Sequence, residues 1–187
     1  MSGEFEFVFA DGPYEGGLWI PDPPGGKAEP TTDPHVADNS LAALDAIVAA
    51  EGPFLGILGY SQGSAFAPVY LSHAPGTFQK AFLFAGYVPH THEGLVASID
   101  ARAPFSDVSA LVWMGANDYA ISNRMTEDQA LLFESAELVF SQAGHHAVPG
   151  NEDATLCQVL AFFREEGIDH CPADDGGYGG GKRARGL

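Results

Sequence analysis

The chain is short of basic residues, cysteine and long apolar runs, and each shortage excludes something. Eight lysines and arginines stand against 25 aspartates and glutamates, a formal net charge of −17 at pH 7. Such a surface repels phosphate backbones and anionic headgroups, so nucleic-acid binding is disfavoured and a neutral small molecule is the better-matched partner. Two cysteines, Cys157 and Cys171, are too few for a disulfide framework and form no C-x-x-C pair, so a reducing, cytoplasmic setting is expected. No stretch of about 18 or more apolar residues occurs, which argues against a membrane-spanning helix. Met1-Ser2-Gly3-Glu4 lacks the basic and apolar regions of a secretory signal. The seven histidines follow neither H-E-x-x-H nor a zinc spacing with cysteine, so no metal or other cofactor is expected. Nothing in the sequence fixes an oligomeric state.

What is present is a globular composition. Apolar residues make up 45% of 187, enough for one domain with a substantial core. Phe5-Glu6-Phe7-Val8-Phe9-Ala10 reads as a strand closed by Asp11-Gly12-Pro13. A Pro/Gly-rich loop follows to about Pro34, in which Trp19 and Ile20 are apolar enough to dock as a flap. Asp38-Asn39-Ser40 caps a helix to about Glu51. Continuous apolar runs at Phe54–Leu58, Ala81–Ala85 and Leu111–Met114 read as strands buried on both faces, with a weaker one at Glu137–Phe140. Helices are expected over about Gln62–Ser72, disturbed by Pro68, and over about Ser122–Phe133 and Glu152–Glu166. The alternation predicts an α/β fold: a mostly parallel sheet flanked by helices, forming one domain over residues 1–166. Residues 167–187, Gly-rich with a basic end, read as a disordered tail.

Gly59-Tyr60-Ser61-Gln62-Gly63 has the form G-x-S-x-G. With 23 glycines and 11 serines in the chain, chance alone would give that pattern in roughly one such sequence in six, so the bare motif is weak. Its position between a buried strand and a helix is stronger, because a sharp strand-to-helix turn lifts a serine hydroxyl above the sheet. Small residues two before and two after would relieve crowding there. The helix start behind Ser61 offers backbone N–H groups to a developing oxyanion. A serine hydroxyl needs a base, and in this architecture an acid and then a histidine follow it, each just after a strand. Asp118 follows the Leu111–Met114 strand, and His145 and His146 follow Glu137–Phe140. Asp107 precedes its strand and so lies at the wrong end. His35, His73, His90, His92 and His170 read as surface or turn residues, with His90 and His92 close enough to a strand end to border the site.

Phe7–Pro13, Gly52–Gly63, Phe82–Pro89, Gly115–Asp118 and Gly144–Pro149 together resemble the FSH family of serine hydrolases, small α/β-hydrolases. The resemblance implies Ser61 as nucleophile, Asp118 as acid and the Gln62 N–H as an oxyanion donor. The family histidine stands three residues before a proline, which implies His146 as base, with His145 in place of a glycine and kept as an alternative. Family members open with an additional strand ending in a His-Gly turn, to which nothing here corresponds, so an N-terminally truncated hydrolase fold is expected. That turn supplies a second oxyanion donor, and one such donor is worth about 2.7–4 kcal/mol in the transition state.

The expected function is hydrolysis of a carboxylic ester or thioester through an acyl-enzyme on Ser61. A related carboxylesterase or acyl-protein thioesterase with a G-x-S-Q-G elbow would share that chemistry. An inactive hydrolase fold serving as a binding module is the alternative from another class. Trp19, Phe66, Tyr87 and Tyr119 are candidate walls of an apolar acyl pocket, although aromatics near strand ends are more often core.

Overall fold

The computed structural model describes residues 5–166 and Cys171. Its elements run α1 (Asp38–Glu51), β1 (Gly56–Tyr60), α2 (Gln62–His73), β2 (Lys80–Phe84), α3 (Glu93–Asp100), β3 (Phe105–Gly115), α4 (Asn123–Ala130), β4 (Phe133–Ser141) and α5 (Leu156–Arg164). Among the described residues the sheet holds four strands in the order β1-β2-β3-β4, every neighbouring pair parallel. Each crossover passes through a helix, as parallel neighbours require. No helix among the described residues is long and apolar enough to cross a membrane.

The continuous apolar strands are explained by two cores. Ala81 and Leu83 of β2 and Val112 of β3 face Phe66, Val69 and Tyr70 of α2. The alternate residues Phe82, Phe84, Leu111 and Trp113 face the other way, against Val159, Phe162 and Phe163 of α5. Pro68 does not break α2. It lacks the N–H that would bond the Ser64 carbonyl, and the buried Gln129 side chain of α4 donates to that carbonyl instead, at 2.8 Å.

Several expectations need correction. Phe5–Ala10 forms no strand; its Phe5 and Phe7 rings rest on Phe163 of α5, 5.2 and 6.1 Å between centroids, while Phe9 stays 92% exposed. The helix expected to Phe133 ends at Ala130, because Phe133 is buried as the first residue of β4, in register with Phe105. Strands β3 and β4 are both longer than their apolar cores suggested. Helix α3 was not foreseen, although Leu95 and Ile99, four residues apart, bury its inner face. Ser40 caps no helix; its hydroxyl donates to the Trp19 carbonyl at 2.6 Å. Cys157 and Cys171 are joined by a disulfide, their Cα atoms 5.5 Å apart, within the span such a bond needs. Apart from Cys171, the tail expected over 167–187, with His170, lies outside the described residues.

Candidate active site

The end of β1 enters α2 through Ser61, whose φ of 52° and ψ of −116° lie where non-glycine residues rarely sit. Such strain persists only where the surroundings impose it. Here the Ser61 N–H donates to the Phe84 carbonyl at 3.0 Å, and its carbonyl accepts from Ala65 N at 3.1 Å. A Cβ on Gly59 would stand 2.5 Å from the Gly63 carbonyl oxygen, so that position must be glycine. Gly63 is different from expectation: an added Cβ would meet only the Trp19 ring, at 3.9 Å, which is ordinary contact.

Ser61, Asp118 and His146 come together at the carboxyl ends of the strands. Ser61 Oγ lies 3.1 Å from His146 Nε2, and His146 Nδ1 lies 2.8 Å from Asp118 Oδ2. A carboxylate only accepts, so the Nδ1 proton faces Asp118 and leaves Nε2 as an acceptor for the serine hydroxyl. Asp118 Oδ1 accepts from the Ala120 and Ile121 N–H groups, each at 2.8 Å. Burial by itself pushes the Asp118 carboxyl up. The Ile121 N–H, the His146 ring, the Ala120 N–H and the histidine's charge outweigh it, and the group sits below its ordinary value. The Tyr60 hydroxyl is pushed up, mainly by burial and then by Tyr119 and Asp118.

The loop that carries the histidine is tied down on several sides. Tyr60 Oη donates to the His146 carbonyl at 3.0 Å, and Asn117 Nδ2 donates to Gln142 O at 3.1 Å. A Cβ on Gly115 would stand 2.5 Å from the Gly144 backbone, so the Asp118 turn and the His146 loop touch main chain to main chain. Behind them, Trp113 Nε1 donates to Thr155 Oγ1, Thr155 donates to Asp153 Oδ1, and Ser141 Oγ donates to Asp153 Oδ2.

The remaining candidates fall elsewhere. His145 is exposed beside the site, and neither of the bonds to Ser61 and Asp118 comes from it. Asp107 pairs with Arg102 at 3.5 Å near the opposite end of β3. His92 is not a surface residue: it is 7% exposed and its Nε2 lies 3.0 Å from the Pro21 carbonyl. Trp19 and Phe66 line a cavity of about 550 Å³ that also reaches Ser61 and Gln62, whereas Tyr87 and Tyr119 do not line it. The sequence reading missed Tyr60, Asp153 and the side chain of Gln62. A glutamine beside Ser61 was itself a signal, since its amide must find partners when half-buried.

The serine hydrolase (FSH1) family model matches residues 19–156. The chain belongs to that family. Esterase FPY3 of Fusarium mangiferae is 34% identical over 111 residues, 52% of this chain and 48% of that protein, so the match spans about half its length. Among solved structures, the acyl-protein thioesterase 2 of Zea mays superposes with a TM-score of 0.56 at 15% identity, covering 79% of this chain and 71% of that one. A Bacillus cereus carboxylesterase gives 0.52 at 18%, covering 68% and 58%. At these identities the two structures speak to the fold, and the fold they share with this FSH-family chain is that of an α/β-hydrolase.

Proposed function

We propose that this protein hydrolyses a carboxylic ester or thioester through an acyl-enzyme on Ser61. The observation that carries the reading is the unbroken hydrogen-bond chain from Ser61 Oγ through His146 to Asp118. In the first step His146 Nε2 takes the hydroxyl proton as Oγ attacks the acyl carbon. Asp118 holds the ring's orientation and stabilises its charged form. The Gln62 N–H, at the start of α2 where no intrahelical acceptor exists, donates to the oxyanion. The imidazolium then protonates the leaving alcohol or thiol. In the second step His146 deprotonates water, which attacks the acyl-enzyme; the same proton returns to Ser61 and the acid departs. Membership of a serine hydrolase family and the likeness to an esterase support this reading.

A fluorophosphonate probe tests it. Purified protein should be labelled, and Ser61→Ala should not. Undiminished labelling of Ser61→Ala, or none of the folded wild type, would refute the assignment. A second reading, a hydrolase-fold binding module with impaired catalysis, is favoured by one feature, the edge of β1 beside Ser61 that no strand among the described residues pairs with. The Cys157–Cys171 bond removes the reason that two free cysteines gave for a reducing compartment.

A further inference from the structure

The side chain of Gln62 faces away from the chemistry that its backbone serves. Its Oε1 accepts from the Trp19 N–H at 2.8 Å and the Ile20 N–H at 3.3 Å, and its Nε2 donates to the Ile20 carbonyl at 2.8 Å. One amide thus satisfies three backbone groups of a segment more than 40 residues away in sequence. Ser40 Oγ holds the Trp19 carbonyl, and His92 Nε2 lies 3.0 Å from the Pro21 carbonyl. Ile20 is 2% exposed. The segment is therefore fixed at every carbonyl from Trp19 to Pro21, in a region otherwise rich in Pro and Gly.

That fixing places the Trp19 ring. It stacks on Phe66 of α2, with centroids 5.0 Å apart and planes at 16°, and an added Cβ on Gly63 would stand 3.9 Å from it. Trp19, Phe66, Ile57 and Leu58 line the same cavity of about 550 Å³ as Ser61. This volume lies in the range of small-molecule sites, ~300–1,000 Å³. Among the described residues Glu6 is the sole carboxylate on its wall, and no lysine, arginine or histidine lines it. A wall of this kind desolvates hydrocarbon at no electrostatic cost and strands any charge brought into it.

Resting on the proposed hydrolase reading, we infer that Trp19 is a specificity-determining wall for an uncharged, apolar acyl group, and that Gln62 is a positioning residue that latches Trp19 to the nucleophile elbow. The amide acts through the segment and touches no substrate. Because its backbone N–H survives substitution, the latch and the oxyanion donor are separable.

The test uses p-nitrophenyl esters from acetate to decanoate, together with acrylamide quenching of tryptophan fluorescence. Trp113, the other tryptophan, is fully buried, so quenching reports on Trp19. The kcat/KM ratio of octanoate to acetate should fall about tenfold or more in Trp19→Ala and in Gln62→Ala, the scale on which apolar pockets discriminate. Trp19→Phe, which keeps a stacking ring, should restore most of it. Gln62→Ala should also lose the protection of Trp19 from acrylamide. Unchanged ratios in variants with wild-type circular dichroism would overturn the acyl assignment, and unchanged quenching in Gln62→Ala would overturn the latch. Wild-type protein that hydrolyses no ester in the series would instead overturn the hydrolase reading beneath both.

Discussion

β1 and β2 lie side by side in register, from Gly56 opposite Lys80 to Tyr60 opposite Phe84, and both are short apolar runs. All five residues of β2 are buried. In β1, Leu58 is 44% and Tyr60 40% exposed, although Phe82, the register partner of Leu58, is 2% exposed. The difference is one of neighbours: among the described residues β2 has a strand on each side, and β1 has one only on the β2 side. A continuous apolar run therefore signals that a strand suits burial on both faces, while the neighbours decide whether it receives it. Ser61 hangs from the less protected strand. Its geometry is held by the Gly59–Gly63 contact, by α2 and by the Phe84 carbonyl rather than by a ladder on both edges. Asp118 and His146 hang from β3 and β4, whose ends are braced by the Trp113–Thr155–Asp153–Ser141 chain.

The contrast can be broken from either side. The largest effect should come from the braced side. Asp118→Asn keeps the shape of the turn but removes the acceptor that orients His146, and kcat should drop by about 10⁴, as in other triads. The same substitution reads a pH dependence. Asp118 is held below its ordinary 3.8, so the stability its charge contributes is complete above that value and fades as pH falls through its lower folded value. In urea titrations across pH, the wild-type excess over the variant should shrink below about pH 3.8, and an excess that grows there would contradict the assignment.

Next comes the direct comparison of strands. Leu83→Ala in β2 should cost about 2–5 kcal/mol, and Leu58→Ala in β1 under about 1 kcal/mol, both by urea denaturation. Equal losses would mean that β1 is covered in solution. Gln129→Ala should cost about 1–3 kcal/mol, because the Ser64 carbonyl left free by Pro68 loses its donor. The smallest change is expected at the open edge: Leu58→Lys should alter stability by no more than ~0.5 kcal/mol while lowering self-association at high concentration, measured by light scattering.

Much of this was legible in the sequence. The buried strands announced themselves as apolar runs, and the order serine, aspartate, histidine along the chain matched strand ends that the fold then brought together. Lateral context was not legible. Phe5–Ala10 has strand composition, but its aromatic rings are captured by Phe163, a contact that no local pattern encodes. Phe133 looks helical in its own neighbourhood and becomes a strand residue only because Phe105 stands opposite. Pro68 argued against a continuous helix because its compensation comes from Gln129, 61 positions later in the chain. Gln62 was read for its backbone alone, since the partners of its amide lie in a loop that no periodicity describes.

The central claim is that Ser61 carries the acyl group between two half-reactions. Rapid acid quench of the protein with a p-nitrophenyl ester, followed by peptide mass spectrometry, tests it most directly. The account predicts the mass of the acyl group on the peptide containing Ser61, absent from Ser61→Ala, with p-nitrophenol released in a burst. Hydrolysis that persists in Ser61→Ala, or an acyl group found on another residue, would contradict it.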